Sequence, residues 1–190
     1  MSDQPIDISR RRFLIGSAAA GAGLSLGLYL PMVGATSEST ANPEVNAWVM
    51  IQPDEQVIIR IARSEMGQGT LTGLAQIVAE ELECDWSNVT TEYPTPGESL
   101  ARNRVWGSFS TGGSQGIRGS HQYMREGGAA ARIMLIEAAA EKWEVPVDEC
   151  TVSKGIITHV PSGKTTSYGK VATAAAEMIP PLEVTLKDPK

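Results

Sequence analysis

Apolar and polar positions alternate in ways that predict short strands and helices between residues 46 and 180. Segments 47–52 and 56–62 are rich in Val, Ile and Met and flank a Pro-Asp-Glu turn, which predicts a β-hairpin. Residues 70–82 then carry apolar side chains at helical spacing, and residues 89–93 return to a strand pattern. The order strand, glycine loop, helix, strand predicts a βαβ-like unit.

The middle of the chain lacks any such periodicity. Residues 94–116 contain several Pro and Gly residues, which predicts a long irregular loop, and a loop of this length in a compact domain is usually functional or disordered. Residues 116–143 follow with an apolar pattern that predicts one long helix, and Pro146 comes shortly after it.

The last third predicts a second hairpin and a short helix. Segments 151–153 and 156–160 flank a Lys-Gly pair, residues 161–164 predict a turn, and residues 168–178 predict a final helix. These elements indicate an α+β fold, with a small mixed or antiparallel sheet and helices packed on one side. Residues 181–190 are expected to connect to a region outside this chain.

The first 35 residues have the layout of a twin-arginine export signal. Arg10 and Arg11 stand in the pattern S-R-R-x-F-L, and residues 15–33 form a weakly apolar run rich in Gly and Ala. Small residues ending at Ala35 favour cleavage there, while retention as a membrane anchor stays open. The sequence therefore predicts the twin-arginine export machinery as a partner and a periplasmic location.

Composition narrows the classes of function. The 190-residue chain has a formal net charge of −6 and no basic stripe, which argues against nucleic acid as a partner. Residues 36–45 are a polar linker, and residues 46–180 are long enough for one domain. With two histidines, two cysteines and no C-x-x-C motif, the chain lacks the ligands for a self-contained zinc, haem or iron–sulfur site. Cys84 and Cys150 are expected to be free thiols, with a disulfide as the alternative.

Two loops combine glycine with polar side chains directly before a helix. The first, residues 64–73, contains Gly67 and Gly69, and the second, residues 107–116, contains hydroxyls and a Gly-Gly pair. Glycine lets a ligand approach the backbone, and free N–H groups at a helix start favour anions. The alternatives are a purely structural turn for the first loop and a surface loop with Ser114 as N-cap for the second. Two such loops in one small unit favour a single shared ligand.

The two loops also carry motifs of a known family. The run E-M-G-Q-G-T at 65–70, followed by a helix ending in A-E-E-L and then by S-T-G-G-S at 110–114, resembles the large subunit of molybdenum hydroxylases. That family includes xanthine oxidase and aldehyde oxidoreductase. An export signal ahead of this unit is similar in particular to the isoquinoline 1-oxidoreductase beta subunits. The resemblance covers roughly residues 46–180.

The resemblance implies a cofactor and partners. The cofactor would be molybdopterin cytosine dinucleotide, shared with a second half of the large subunit that this chain lacks, and electrons would leave through a separate iron–sulfur small subunit. The resemblance assigns cofactor binding to both loops, at Gly67, Gln68, Gly69, Thr111, Gly112, Gly113 and Ser114. A Gln side chain offers donors and an acceptor that suit a pterin edge or an oxygen on molybdenum.

The implied reaction adds water-derived oxygen to an aldehyde or an N-heteroaromatic carbon. The family's catalytic glutamate lies in the second half, so this chain is expected to supply no catalytic residue and no metal ligand and to be inactive alone. Glu65 does not match that base and is expected to be structural. The alternative is a non-catalytic exported module for binding or assembly, which keeps the fold without the metal.

Five further residues have competing interpretations. His121 is expected to be a packing or surface residue, and His159 an exposed residue on a hairpin strand. Trp106 lies in the loop region and is a weaker candidate for lining a substrate channel. Arg102 and Arg104 flank it and are weaker candidates for a phosphate contact, with a solvated loop as the alternative.

Overall fold

The structure is a computed structural model that describes residues 43–188. The predicted export signal, including Arg10 and Arg11, and residues 36–42 of the linker lie outside the described residues. Within the described range, six strands and five α-helices follow one another as β1 (Val49–Ile51), β2 (Val57–Arg60), α1 (Thr70–Leu82), β3 (Val89–Glu92), α2 (Pro96–Ala101), α3 (Gln115–Arg118), α4 (His121–Trp143), β4 (Cys150–Ser153), β5 (Ile156–His159), β6 (Lys164–Ser167) and α5 (Ala172–Ala176).

The first sheet contains the predicted hairpin and the predicted βαβ unit. Its strand order is β1-β2-β3, with β1 antiparallel to β2 and β2 parallel to β3. Ile58 pairs with Met50 on one side and with Thr90 on the other. Helix α1 makes the crossover that a parallel pair requires, so the loop before α1 lies at the carboxyl end of β2.

The second sheet has the order β4-β5-β6, and both of its strand pairs are antiparallel. The β4–β5 hairpin confirms the prediction from the Lys-Gly pair. The sequence analysis missed β6, because its residues are polar and followed a predicted turn. The α+β class is confirmed, with the strands divided between two three-stranded sheets.

Helix α4 crosses α1 at close range in the core. A Cβ at Gly128 would lie 2.6 Å from the carbonyl oxygen of Val78, and one at Gly127 would lie 2.9 Å from Cδ1 of Trp48. Gly128 lets the two backbones approach closely, Gly127 leaves room for the Trp48 ring, and larger apolar side chains fill the core around the crossing. The buried core includes Val49, Ile51, Ile59, Leu74, Val78, Leu82, Met124, Met134, Leu135, Ile157 and Tyr168.

Three helical segments differ from the sequence prediction. The segment expected to be irregular contains α2, whose start is fixed by a reciprocal capping box between Thr95 and Glu98. The predicted long helix is broken after Arg118, and α4 begins at His121. The predicted last helix consists of a 3₁₀ turn, Tyr168–Lys170, and the short α5.

The expectation that His159 is exposed is wrong. Its side chain is buried on the central strand of the second sheet, where its two ring nitrogens lie 2.7 Å from Ser162 Oγ and 2.8 Å from Glu149 Oε2. Both cysteines are free thiols, and burial raises the pKa of Cys84 to about 12. None of the helices in residues 43–188 is long and apolar enough to cross a membrane.

Candidate functional site

The first glycine-rich loop runs from the end of the first sheet into α1. Gly67 and Gly69 have φ values of 91° and 79°, which place both in the left-handed region that favours glycine. Gly69 is the N-cap residue of α1 and has no side chain to cap it. The N–H groups at the helix start therefore need another partner.

Glu65 supplies that partner from within the loop. Its carboxylate accepts hydrogen bonds from the backbone N–H groups of Leu71 at 3.0 Å, Gly69 at 2.9 Å and Gly67 at 2.7 Å. These three backbone donors, led by Leu71, lower the pKa of Glu65. The anion at the start of α1 is thus the carboxylate of Glu65 itself, which agrees with the structural role expected for this residue. The N–H groups of Gly67, Gly69 and Leu71 are therefore not open to a ligand.

The bonded form of Glu65 is expected to survive mild acid. Because the folded-state pKa lies below the ordinary value of about 4.3, its stabilising effect is complete above that value and is lost as pH falls through the lower folded pKa. Amide resonances of Gly67 and Gly69, followed by NMR, should therefore titrate with a midpoint below the ordinary value. A midpoint at or above it would contradict this account, and Glu65→Gln should abolish the transition.

Gln68 organises the same loop and reaches toward the second. Its Nε2 donates to Ser64 O at 2.8 Å and Thr70 Oγ1 at 2.9 Å, and it lies 3.4 Å from Thr111 Oγ1. Its Oε1 accepts from the N–H of Met66 at 2.5 Å. The side chain is exposed but already engaged, so a ligand would meet it in a fixed orientation.

The second loop packs directly against the first. Thr111 Oγ1 donates to Ser64 O at 3.4 Å, and a Cβ added to Gly116 would lie 2.5 Å from Thr70 Cγ2. The structure thus brings together two segments that the sequence analysis singled out separately, as one seam between residues 64–69 and residues 110–116. The assignment of the seven loop residues to a cofactor stays a prediction.

The second loop leaves its own backbone open. A Cβ at Gly112 or Gly113 would have no heavy atom within 4 Å. The N–H groups of Gly112, Gly113 and Ser114 donate to no acceptor within residues 43–188. Ser114 is the N-cap residue of α3, as the surface-loop alternative expects, but its side chain makes no cap hydrogen bond. This loop has the donors and the space that an anionic or strongly polar ligand needs.

Arg63 is a feature of the seam that the sequence analysis missed. The residue is 7% exposed, and its side chain donates to Ser120 Oγ at 2.9 Å and to the carbonyl oxygen of Ser110. One arginine at the end of an apolar strand is the only signal that the sequence offers. Its hydrogen bonds connect the end of the first sheet to Ser110 in the second loop and to Ser120 at the start of α4.

The remaining candidates lie in other surroundings. Trp106 is buried, donates from Nε1 to Ala47 O at 2.7 Å, and has the guanidinium of Arg102 4.9 Å from its ring centre. Arg102 also forms an ion pair with Glu44. Trp106 therefore has a packing role, and Arg102 already has a carboxylate partner. Within residues 43–188 no group of three His, Cys, Asp or Glu side chains is arranged to hold a metal.

Comparison with known proteins points to one family. Residues 4–187 match the family described as molybdopterin cofactor-binding domain. The chain is 32% identical over 175 residues to an isoquinoline 1-oxidoreductase subunit beta from Brevundimonas diminuta, covering 90% of this chain and 22% of that protein. It is 33% identical over 178 residues to a membrane-bound aldehyde dehydrogenase (pyrroloquinoline-quinone) from Gluconacetobacter polyoxogenes, covering 86% of this chain and 21% of that protein.

Solved structures are also similar to this chain, at lower sequence identity. The reconstituted CO dehydrogenase from Oligotropha carboxidovorans is 23% identical and aligns over 74% of this chain and 18% of its own, with a TM-score of 0.49. The chain spans about a fifth of the length of the curated relatives it matches.

Proposed function

Because this chain belongs to the molybdopterin cofactor-binding domain family, we propose that the seam between its two glycine-rich loops holds part of a molybdopterin cofactor. The cofactor is proposed to be the cytosine dinucleotide form and to be shared with a second half of the large subunit. One observation carries the proposal. The open N–H groups at Gly112, Gly113 and Ser114 lie beside a loop that is already closed by its own carboxylate.

The donor set of the seam fits such a group. Three backbone N–H groups in open space suit phosphate or pterin oxygens, since backbone donors can approach a ligand closely where no side chain intervenes. Gln68 would present a fixed amide edge, and Glu65 would hold the loop that carries it. Neither residue is proposed to take part in bond making.

The proposed whole protein is an oxidoreductase acting on aldehydes or N-heteroaromatic compounds, with electrons leaving through a separate iron–sulfur subunit. The bound cofactor would supply the two-electron oxidation and the transfer of water-derived oxygen. The names of the two curated relatives, an isoquinoline oxidoreductase and an aldehyde dehydrogenase, support these substrate classes. Export to the periplasm by the twin-arginine route is proposed from Arg10 and Arg11 in their sequence pattern.

Gln68→Ala tests the proposed site. The substitution removes the bonds to Ser64, Thr70 and Met66 and the amide edge, at a cost of roughly 1 kcal/mol for each hydrogen bond lost. A tagged chain is purified from its own cells with the subunits it assembles with, and its molybdenum content is measured. We expect the variant to retain roughly a tenth of the wild-type content or less, because the loop loses the bonds that fix it and the ligand loses the amide edge, and each loss of about 1.4 kcal/mol is a factor of ten.

The matched control is Gln122→Ala, which removes an exposed Gln whose Nε2 donates to Glu126 at 2.8 Å on α4. This variant should keep the wild-type molybdenum content. Full content in Gln68→Ala would contradict the proposed site. A wild-type assembly without molybdenum would instead favour the non-catalytic module.

A further inference from the structure

Among the residues that the structure describes, Arg63 is a buried cation with no carboxylate partner. It is 7% exposed, and its two acceptors, Ser120 Oγ and the carbonyl of Ser110, are both neutral. By contrast, Arg60 pairs with Glu92 at 2.7 Å, and Arg125 donates to Glu81 at 2.7 Å. Across residues 43–188, no ion pair compensates the charge of Arg63.

A neutral side chain could donate to the same two acceptors without the free-energy cost of burying a charge. Taking a charge out of water is costly unless an opposite charge or several strong hydrogen bonds replace the water. Glu65, two residues after Arg63, cannot serve as its partner, because its carboxylate already accepts hydrogen bonds from the backbone N–H groups at the start of α1. The positive charge of Arg63 therefore lacks a counter-charge among the groups the structure describes.

The position of Arg63 links this charge to the seam. Its neighbour Ser64 accepts hydrogen bonds from Gln68 and Thr111, one from each loop. Its acceptor Ser110 directly precedes Thr111 and the open Gly-Gly pair. The guanidinium thus contacts the second loop at the residue before Thr111. The electric field of its positive charge would attract an anionic ligand in the seam.

We propose that Arg63 is a ligand-binding determinant whose positive charge attracts an oxyanion group of the ligand to the seam between the loops. This proposal rests on the proposed function and deepens it. The oxyanion can come from a phosphate ester or from a metal-oxo group, and both share the negative oxygen atoms that a buried guanidinium favours. The affinity for the oxyanion group is attributed to the charge of Arg63 more than to the geometry of its hydrogen bonds.

The test titrates the full chain with inorganic pyrophosphate and, separately, with sodium molybdate, and follows the NMR signals. In the wild type, pyrophosphate should shift the Arg63 Nε–H resonance and the amides of residues 110–114, and added salt should weaken the effect. A response to molybdate alone would assign the oxyanion to a metal-oxo group. If neither anion shifts these signals, the proposal is wrong, whereas the molybdenum content of the native assembly decides the proposed function separately.

Two substitutions separate charge from hydrogen bonding. Arg63→Lys keeps the charge and should keep most of the affinity, while Arg63→Gln keeps a donor and should lose roughly tenfold or more. Lys142→Gln, which removes an exposed charge at the far end of α4, serves as the control for net charge and should bind as the wild type does. Equal affinity in Arg63→Gln and the wild type would overturn the proposal. The wild-type Nε–H shift tests it even if a variant fails to fold.

Discussion

Gly112→Val is expected to leave the fold intact and to remove the cofactor from the native assembly. A Cβ at this position has no heavy atom within 4 Å, and the backbone of Gly112 lies outside the left-handed region. An added Cβ therefore meets no neighbouring atom, and the branched side chain fills the space through which a ligand would reach the loop N–H groups. We expect molybdenum content to fall to background, measured together with the midpoint of urea unfolding.

Gly113→Val is a poorer test, because Gly113 has a φ of 63° and any side chain there strains the backbone. Gly97→Ala serves as the control for Gly112→Val. Gly97 lies in α2, outside the two loops of the seam, and its added Cβ would meet only Thr95 Oγ1, at 3.9 Å. This control should keep both metal and stability. Wild-type molybdenum in Gly112→Val would show that no ligand occupies the space beside the second loop.

Gly128→Ala is expected to destabilise the chain by about 2 kcal/mol. The added Cβ would lie 2.6 Å from the carbonyl oxygen of Val78 and 3.0 Å from Cβ of Glu81, so α1 and α4 must separate. Overpacking of this kind costs roughly 1–3 kcal/mol, and a contact with rigid backbone belongs at the upper end. The higher helix propensity of Ala returns only about 1 kcal/mol. Urea unfolding gives the free-energy difference.

Gly73→Ala is the matched comparison for this effect. It makes the same change inside α1, but its Cβ would meet only the end of the Ile117 side chain, at 3.3 Å. Because that side chain can move, the gain in helix propensity should dominate, and stability should stay equal or rise. Equal losses in the two variants would contradict the close backbone crossing of α1 and α4.

Local patterns were sufficient to predict the elements that frame the site. Apolar spacing in 70–82 predicts α1, and the strand patterns of 56–62 and 89–93 on either side predict the βαβ unit whose parallel strands α1 connects. Helix α2 was missed although its capping-box pattern, Thr95 followed three residues later by Glu98, is readable in the sequence. The burial of His159 was not readable, because it depends on the tertiary position of β5 between two partner strands.

The two loops could be predicted as neighbours, but their chemistry could not. Glycine and hydroxyl content marked both segments, and their contact through Gln68 and Thr111 agrees with a shared ligand. The role of Glu65 as the internal anion depends on loop conformation that no spacing rule specifies. The same holds for Arg63, whose burial and missing counter-charge appear only when residues 110 and 120 fold back onto it.

The most direct test of the central claim is the composition of the wild-type protein in its native assembly. Molybdenum is measured by elemental analysis, and the nucleotide released from the bound pterin is identified by mass spectrometry. The account predicts molybdenum and a cytidine nucleotide, each in a one-to-one ratio to this chain. An assembly that contains neither molybdenum nor a pterin would contradict it.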